Sequence, residues 1–188
     1  MDIREAHRVA CSGFEARVRE VAPDDWNAPT PCEDWDVKTL VNHVVYGNLW
    51  VAPLVEGQTI EEIGDRFEGD VLGDDPVAAW TSSAAGAQSA IDAEGAMERT
   101  VHLSFGDFPG EQYIYQRLLD VLVHTWDLAR AIKGDERLDP GAVELLHAWA
   151  EPLGEMLRGS GAFASEPVEV PPSSDLQTQL LALLGRRV

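Results

Sequence analysis

Residues 111–132 run for about six helical turns without a breaker, and their apolar side chains do not keep to one side. Tyr115, Leu118, Leu119, Leu122, Trp126 and Ala129 cover one face of a helical wheel, and Ile114, Val121, Leu128 and Ile132 cover another. A helix that is apolar round most of its circumference has to be buried on several sides. It therefore demands neighbouring helices or sheets, and it sets the plan of the whole fold. Gly134 stands just beyond it as a C-terminal stop.

The rest of the sequence supplies helices as neighbours. Ile3, Ala6, Ala10, Phe14, Val18 and Val21 step by threes and fours, which predicts a first helix over residues 2–20. Residues 22–33 hold three prolines and read as a loop. Asp36 is a candidate N-cap for a second helix through Leu40, Val44 and Val51, which carries His43. Residues 57–75 are polar and read as a solvated loop, without the ligand spacing of an EF-hand. Asp75 and Pro76 then start a third helix through Trp80, Ala84, Ala87 and Ile91, and the 111–132 segment is the fourth.

Val101, Leu103 and Phe105 alternate with His102 and Ser104, enough for one short strand over 99–105 but too little for a sheet architecture. Asp139 and Pro140 open a fifth helix to about residue 158, and residues 176–184 a sixth, after the proline-rich stretch 166–172. The expected fold class is all-α. One domain over 1–188 is expected, with a four-helix core at 2–133, a C-terminal helical extension at 139–188 and at most a short β element.

Charge narrows the partners. The chain has 14 Lys and Arg against 33 Asp and Glu, a net charge of −19, which repels nucleic-acid backbones and anionic lipid surfaces. No stretch approaches the ~18 to 20 apolar residues of a spanning helix, and residues 1–10 are not those of a signal peptide. Cys11 and Cys32 show no Cys-x-x-Cys spacing and read as structural; Cys32 lies between Pro31 and Glu33, with acids nearby and no base in view. A cytoplasmic protein is expected, with no nucleic-acid or membrane partner. Six tryptophans suggest a possible homodimer through Trp-bearing helix faces.

Along the greasy fourth helix, Gln116, Asp120, His124 and Asp127 form a narrow polar strip, each three or four residues from the next. Charged groups on a buried helix are costly unless paired or metal-bound, so the strip needs partners. Two readings are open from the residues. Asp120 and His124 can satisfy each other across one turn while Asp127 anchors a backbone amide. Alternatively, Asp120 and His124 join His43 on a divalent cation, as facing helices do when bundles build metal sites. Two histidines and a carboxylate also describe the ferrous facial triad. His102 and His147 read as solvent-facing or partly packed, and Tyr113 and Tyr115 as packing residues. Arg117 and Arg130 are candidates to hold an anionic substrate, although helix arginines usually reach out to solvent.

Three segments carry a resemblance: TPCEDWDVKTLVNHV at 30–44, GDDP at 73–76 and LLDVLVHTWDLA at 118–129. Together they resemble the DinB-like superfamily of helical bundles, in the branch that includes the metal-binding domain of mycothiol-dependent maleylpyruvate isomerase. The resemblance implies a metal site in which a second-helix histidine joins a carboxylate-x-x-x-histidine pair, positions matched here by His43, Asp120 and His124. Aspartate stands at 120 where the isomerase uses glutamate, and the isomerase's additional C-terminal domain is not matched by the residues after 139.

What the resemblance implies is a metal-dependent enzyme. Zinc, nickel or iron would activate a low-molecular-weight thiol such as mycothiol toward an electrophilic substrate, in a transferase or isomerase reaction. Asp127 is at best a group that orients a ligand. The other possibility is a non-catalytic metal- or ligand-binding bundle that acts through a partner.

Overall fold

A computed structural model describes residues 1–159 and 167–188. Four long helices make the core: α1 (Ile3–Glu20), α2 (Val37–Val55), α4 (Pro76–Asp92) and α5 (Gly110–Ala131), with the single turn α3 (Ile60–Ile63) between the second and third of them. α1 packs against α5 and α4, and α2 against α4 and α5, so the four close into a bundle with no helix left unpaired. Beyond it, α6 (Pro140–Ala150) lies on α1 and α5, followed by α7 (Gly154–Gly159) and α8 (Leu176–Leu183), the last packed on α6. The fold is mostly helical, with one small hairpin.

Aspartates punctuate the chain. Asp2, Asp36, Asp75, Asp139 and Asp175 each accept from a backbone N–H in the first turn of the helix they precede, satisfying donors that have no intrahelical partner. Part of the acidic excess is therefore structural. Pro76 and Pro140 sit just inside their helices, where a missing N–H costs nothing.

The core is continuous. Phe14 of α1 meets Trp80 of α4 with ring centroids 4.3 Å apart, and Ile114, Leu118, Val121, Leu122, Trp126 and Leu128 of α5 are all buried. Each large apolar side chain fully buried this way stabilises by roughly 1.5 to 3 kcal/mol before entropy is counted. Trp80 and Trp126 are buried, and Trp26, Trp35, Trp50 and Trp149 pack partly against the core. All six tryptophans thus contribute to the packing of the interior, four of them from partly exposed positions.

Several local expectations are corrected. The strand at 99–105 is β1 (Thr100–Leu103), paired antiparallel with an unexpected β2 (Gly106–Pro109), Leu103 opposite Gly106 and Thr100 opposite Pro109. Glycine and proline there masked a strand as a turn, and Pro109 sits at the end of an edge strand, where no ladder donor is needed. The loop 57–75 contains α3, started by a capping box in which Thr59 and Glu62 satisfy each other's backbone N–H groups. The fifth helix does not run unbroken to 158. A 3-10 turn at Glu151–Leu153 interrupts it at Pro152, which cannot donate the helical hydrogen bond. Of the proline-rich stretch 166–172, residue 166 lies outside the described residues.

Candidate metal centre

α5 builds most of the site because residues 117, 120, 124 and 127 are three or four apart and share one face. That face looks onto α2, where the Asp36 cap sets the helix register and places His43 two turns in. The side chains meet. His43 Nε2 donates to Asp120 Oδ1 at 3.1 Å, and His124 Nε2 lies 3.4 Å from the same oxygen. One ligand atom from each of His43, Asp120 and His124 falls in a set whose members are all within 4.8 Å of one another. The exposure is graded: the His43 side chain is 37% exposed, Asp120 22% and His124 10%, so the cluster opens toward solvent on the His43 side.

Each ligand candidate is held from behind. Arg117 Nη1 donates to the other Asp120 oxygen, Oδ2, at 2.9 Å. His124 Nδ1 donates to Asp127 Oδ2 at 2.9 Å, so Nε2 is the ring nitrogen that can offer a lone pair once it gives up its own proton. Asp127 is wholly buried and accepts from Arg186 twice, Nε to Oδ1 at 3.1 Å and Nη2 to Oδ2 at 2.8 Å. A carboxylate on the outer nitrogen of an imidazole is how proteins orient histidine ligands. The Trp35 ring lies 4.8 Å from that of His43 and 5.7 Å from that of His124, centroid to centroid, and walls one side.

The charges are strongly coupled. Burial pushes the Asp120 carboxyl up, but the Arg117 guanidinium and His124 outweigh it and hold the group well below the usual carboxylate range. Burial likewise opposes the charged form of His124, while Asp120 and Asp127 hold its proton well above the ordinary histidine range. Asp127 is lowered against burial by His124 and Arg186. Without an ion, the cluster is a hydrogen-bonded network in which the Nε2 atoms of both His43 and His124 carry a proton toward Asp120, and a metal would have to displace both. The donor set of two imidazole nitrogens and one carboxylate oxygen, with the outer nitrogen of His124 already committed, fits a divalent cation.

The structure brings together all three residues singled out as ligands, together with Asp127, while Gln116 is half-buried outside that donor set. It places two expected roles differently. Arg117 does not reach solvent but is buried, 8% exposed, and is used on Asp120. Arg130 lies over Trp126 at 4.5 Å and pairs with Glu136, lining with Arg186 and Arg187 a cleft of about 250 Å³. Since Arg186 approaches the Nδ1 side of His124, that cleft lies behind the histidine and not at its coordinating edge. His102 is on the hairpin, paired with Asp107 at 2.8 Å, and His147 is half-buried on α6.

Cys32 and Arg186 were not visible in the sequence as site residues. Cys32 is far from being a bystander in a loop: Sγ lies 3.3 Å from Asp127 Oδ2, 3.5 Å from Arg186 Nη2 and 3.8 Å from His124 Nδ1. Cys32, His124 and Asp127 form a second close group of potential ligands. Asp127 is already committed there to Arg186, whose charge disfavours a cation in that position.

A helical bundle with a three-donor cluster between its second and last core helices is the class of protein that this architecture defines. The chain belongs to the mycothiol maleylpyruvate isomerase N-terminal domain family, whose model matches residues 7–129. Two uncharacterized proteins of Mycobacterium tuberculosis, Rv0738 of strain ATCC 25618 / H37Rv and MT0763 of strain CDC 1551 / Oshkosh, are each 38% identical to it over 197 residues, covering 100% of both chains. A crystal structure of the mycothiol-dependent maleylpyruvate isomerase superposes with a TM-score of 0.65 at 19% identity, covering 92% of this chain and 77% of that one. A histidine-to-alanine mutant of the isomerase gives 0.67 at 17% identity with the same coverage. At these identities the likeness shows the shared fold. Among the described residues, no helix is long and apolar enough to cross a membrane.

Proposed function

We propose that the protein is a metal-dependent enzyme that uses a low-molecular-weight thiol of the mycothiol type on an electrophilic small molecule, as a transferase or an isomerase. His43, Asp120 and His124 hold the cation, zinc foremost, with nickel or iron as alternatives. One observation carries this reading. Donor atoms from two facing helices converge within 4.8 Å, and Asp127 occupies the outer nitrogen of His124 as second partners of metal-bound histidines do. Membership of a family named for a mycothiol-dependent isomerase supports the choice of thiol.

A divalent ion bound there supplies positive charge that lowers the pKa of a coordinated thiol and keeps it as the nucleophilic thiolate. The chain's own residues prepare the place. Asp127 keeps a proton on His124 Nδ1, so Nε2 is the donor presented to the site. Trp35 excludes water from one side and offers an apolar surface to the thiol's carbon chain. His43, the most exposed of the three, marks the side from which thiol and electrophile enter.

A second reading has its own observation. Both oxygens of Asp120 already have partners in Arg117, His43 and His124, so the cluster is satisfied as a buried polar network in a bundle that binds ligands or partners without catalysis. The decisive measurement is the metal content of protein purified without a polyhistidine tag, beside His124→Ala. One equivalent per chain in the wild type, lost in a still-folded variant, supports the metal site; no stoichiometric metal, or metal retained by His124→Ala, overturns it. Thiol consumption by the loaded protein with an electrophile panel, against metal-stripped and thiol-only controls, then separates enzyme from binding module.

A further inference from the structure

A site that needed only to grip a dication would be better off without a guanidinium against one of its ligands, because the two cations repel across a short, poorly hydrated distance. Yet Arg117 is buried with Nη1 2.9 Å from Asp120 Oδ2, and α2 is shaped to receive it. The Val44 carbonyl accepts from Nη2 at 3.5 Å, and Asn48 Oδ1 accepts from the same nitrogen at 3.2 Å. At Gly47 a Cβ would stand 2.2 Å from Nη1, 2.6 Å from Cζ and 2.7 Å from Nη2, so the guanidinium occupies the space that any other residue would fill. Three positions of one helix turn thus form a slot for one planar cation.

We propose that Arg117 is a positioning residue that restricts Asp120 to a single donor oxygen. The inference rests on the metal reading of the cluster. The guanidinium holds Oδ2, and Oδ1 alone faces the Nε2 atoms of His43 and His124 at 3.1 and 3.4 Å. A carboxylate free to turn can chelate through both oxygens and use up a coordination position. One clamped on its outer oxygen cannot, and its charge is partly spent on the arginine. Arg117 thereby keeps room, and electron demand, at the ion for an incoming sulfur. It acts through Asp120 and is not itself one of the donors.

The test uses the full chain as wild type, Arg117→Lys and Gly47→Ala. Lysine keeps the charge but loses the fork, and alanine keeps the arginine but evicts its guanidinium, so the two variants perturb the clamp by independent routes. A remote core variant, Ile91→Val, controls for lost stability. Zinc affinity is measured by chelator competition, and the visible absorption of the cobalt(II)-loaded protein reports coordination number.

The clamp predicts one zinc per wild-type chain, bound several-fold more tightly in both clamp variants as the repulsion is relieved and Oδ2 is freed, and cobalt bands that weaken as Asp120 turns bidentate, with Ile91→Val unchanged in both readouts. A wild type that takes up no stoichiometric zinc or cobalt overturns the metal reading, and this inference with it. Metal binding by the wild type with cobalt spectra unaltered in both clamp variants overturns the role of Arg117 alone.

Discussion

Asp127 and Arg186 stand 59 positions apart, yet they meet in a two-point ion pair directly behind His124, with neither carboxylate oxygen left unpaired. The chain's last residues thus reach back to the helix that carries two of the three candidate ligands. Arg186 also donates to the Leu184 carbonyl and contacts Cys32, so the tail, the loop before α2 and α5 are tied at one point. The C-terminal extension is part of the site's support.

Replacing Arg186 with Ala should leave the buried Asp127 charge with His124 as its remaining ionic partner. Removing one member of a buried pair costs about 3 to 5 kcal/mol, far more than the loss of an exposed salt bridge. Urea unfolding of the metal-free protein should show that loss as a lowered midpoint with an unchanged slope. A midpoint equal to wild type would mean that the tail contributes no stability through this contact.

Bound metal should stabilise the fold by mass action. At free zinc one hundred times the dissociation constant the gain is about 2.7 kcal/mol, roughly 5 to 10 °C in melting temperature for a chain of this size. Chelation should reverse the shift, and His124→Ala should show none. A shift of equal size in that variant would place the ion elsewhere.

The helices were legible because signals of different kinds agreed. The Asp-Pro starts at 75–76 and 139–140 fixed two boundaries, and the all-round apolar character of residues 111–132 marked the central helix. What was missed depends on single residues whose local preference gave way to context, namely Gly106 and Pro109 in β2, or the Thr59 and Glu62 box around one turn. Asp120 and His124 could be read as a pair because helical spacing brings them together without any knowledge of the fold. His43 as a ligand was only one of two open readings until the family resemblance was added. Arg117 was read as a candidate anion binder, although its place three residues before Asp120 already allowed the pair the structure shows; its burial depends on Gly47, which lies on another helix. Cys32 and Arg186 sit 92 and 154 residues from the partners they meet there, distances over which no local pattern can speak.

Gly110 begins α5 where the hairpin turns into the bundle, and it is constrained by space. A Cβ there would lie 1.9 Å from the Ala96 carbonyl oxygen, a backbone atom that no rotamer change can move aside. The Gly110 N–H donates to the Arg99 carbonyl at 2.8 Å, which keeps the two segments in contact. Gly110→Ala should therefore cost about 1 to 3 kcal/mol or more by overpacking. Gly86→Ala, on α4 with nothing near its Cβ, should stabilise by a few tenths to about 1 kcal/mol. Thermal melts of the two variants should move in opposite directions.

His7 sets a pH dependence that can be separated from that of the candidate site. It is wholly buried on α1, with Nδ1 donating to Gln88 Oε1 at 3.0 Å and the Cys11 sulfur 3.7 Å away. Burial pushes its pKa down to about 4, with Arg117 and Arg8 also disfavouring the proton and Gln88 and Asp92 favouring it. Between that value and the ordinary 6.5 the unfolded chain takes up a proton that the native state refuses, so stability falls as pH drops through this window. From pH 7 to pH 5 the loss is about 2 kcal/mol. His124 works in the opposite sense. Its raised pKa gives stability that is complete below pH 6.5 and lost only at higher pH, so it adds no slope between 5 and 6.5. The lowered carboxylates, Asp120 and Asp127 among them, lose their contribution chiefly below this range. Urea midpoints of the metal-free protein at pH 6.5 and pH 5 should therefore differ in the wild type and draw together in His7→Gln, which retains a polar group toward Gln88 but cannot titrate. An undiminished difference in that variant would assign the slope to another group.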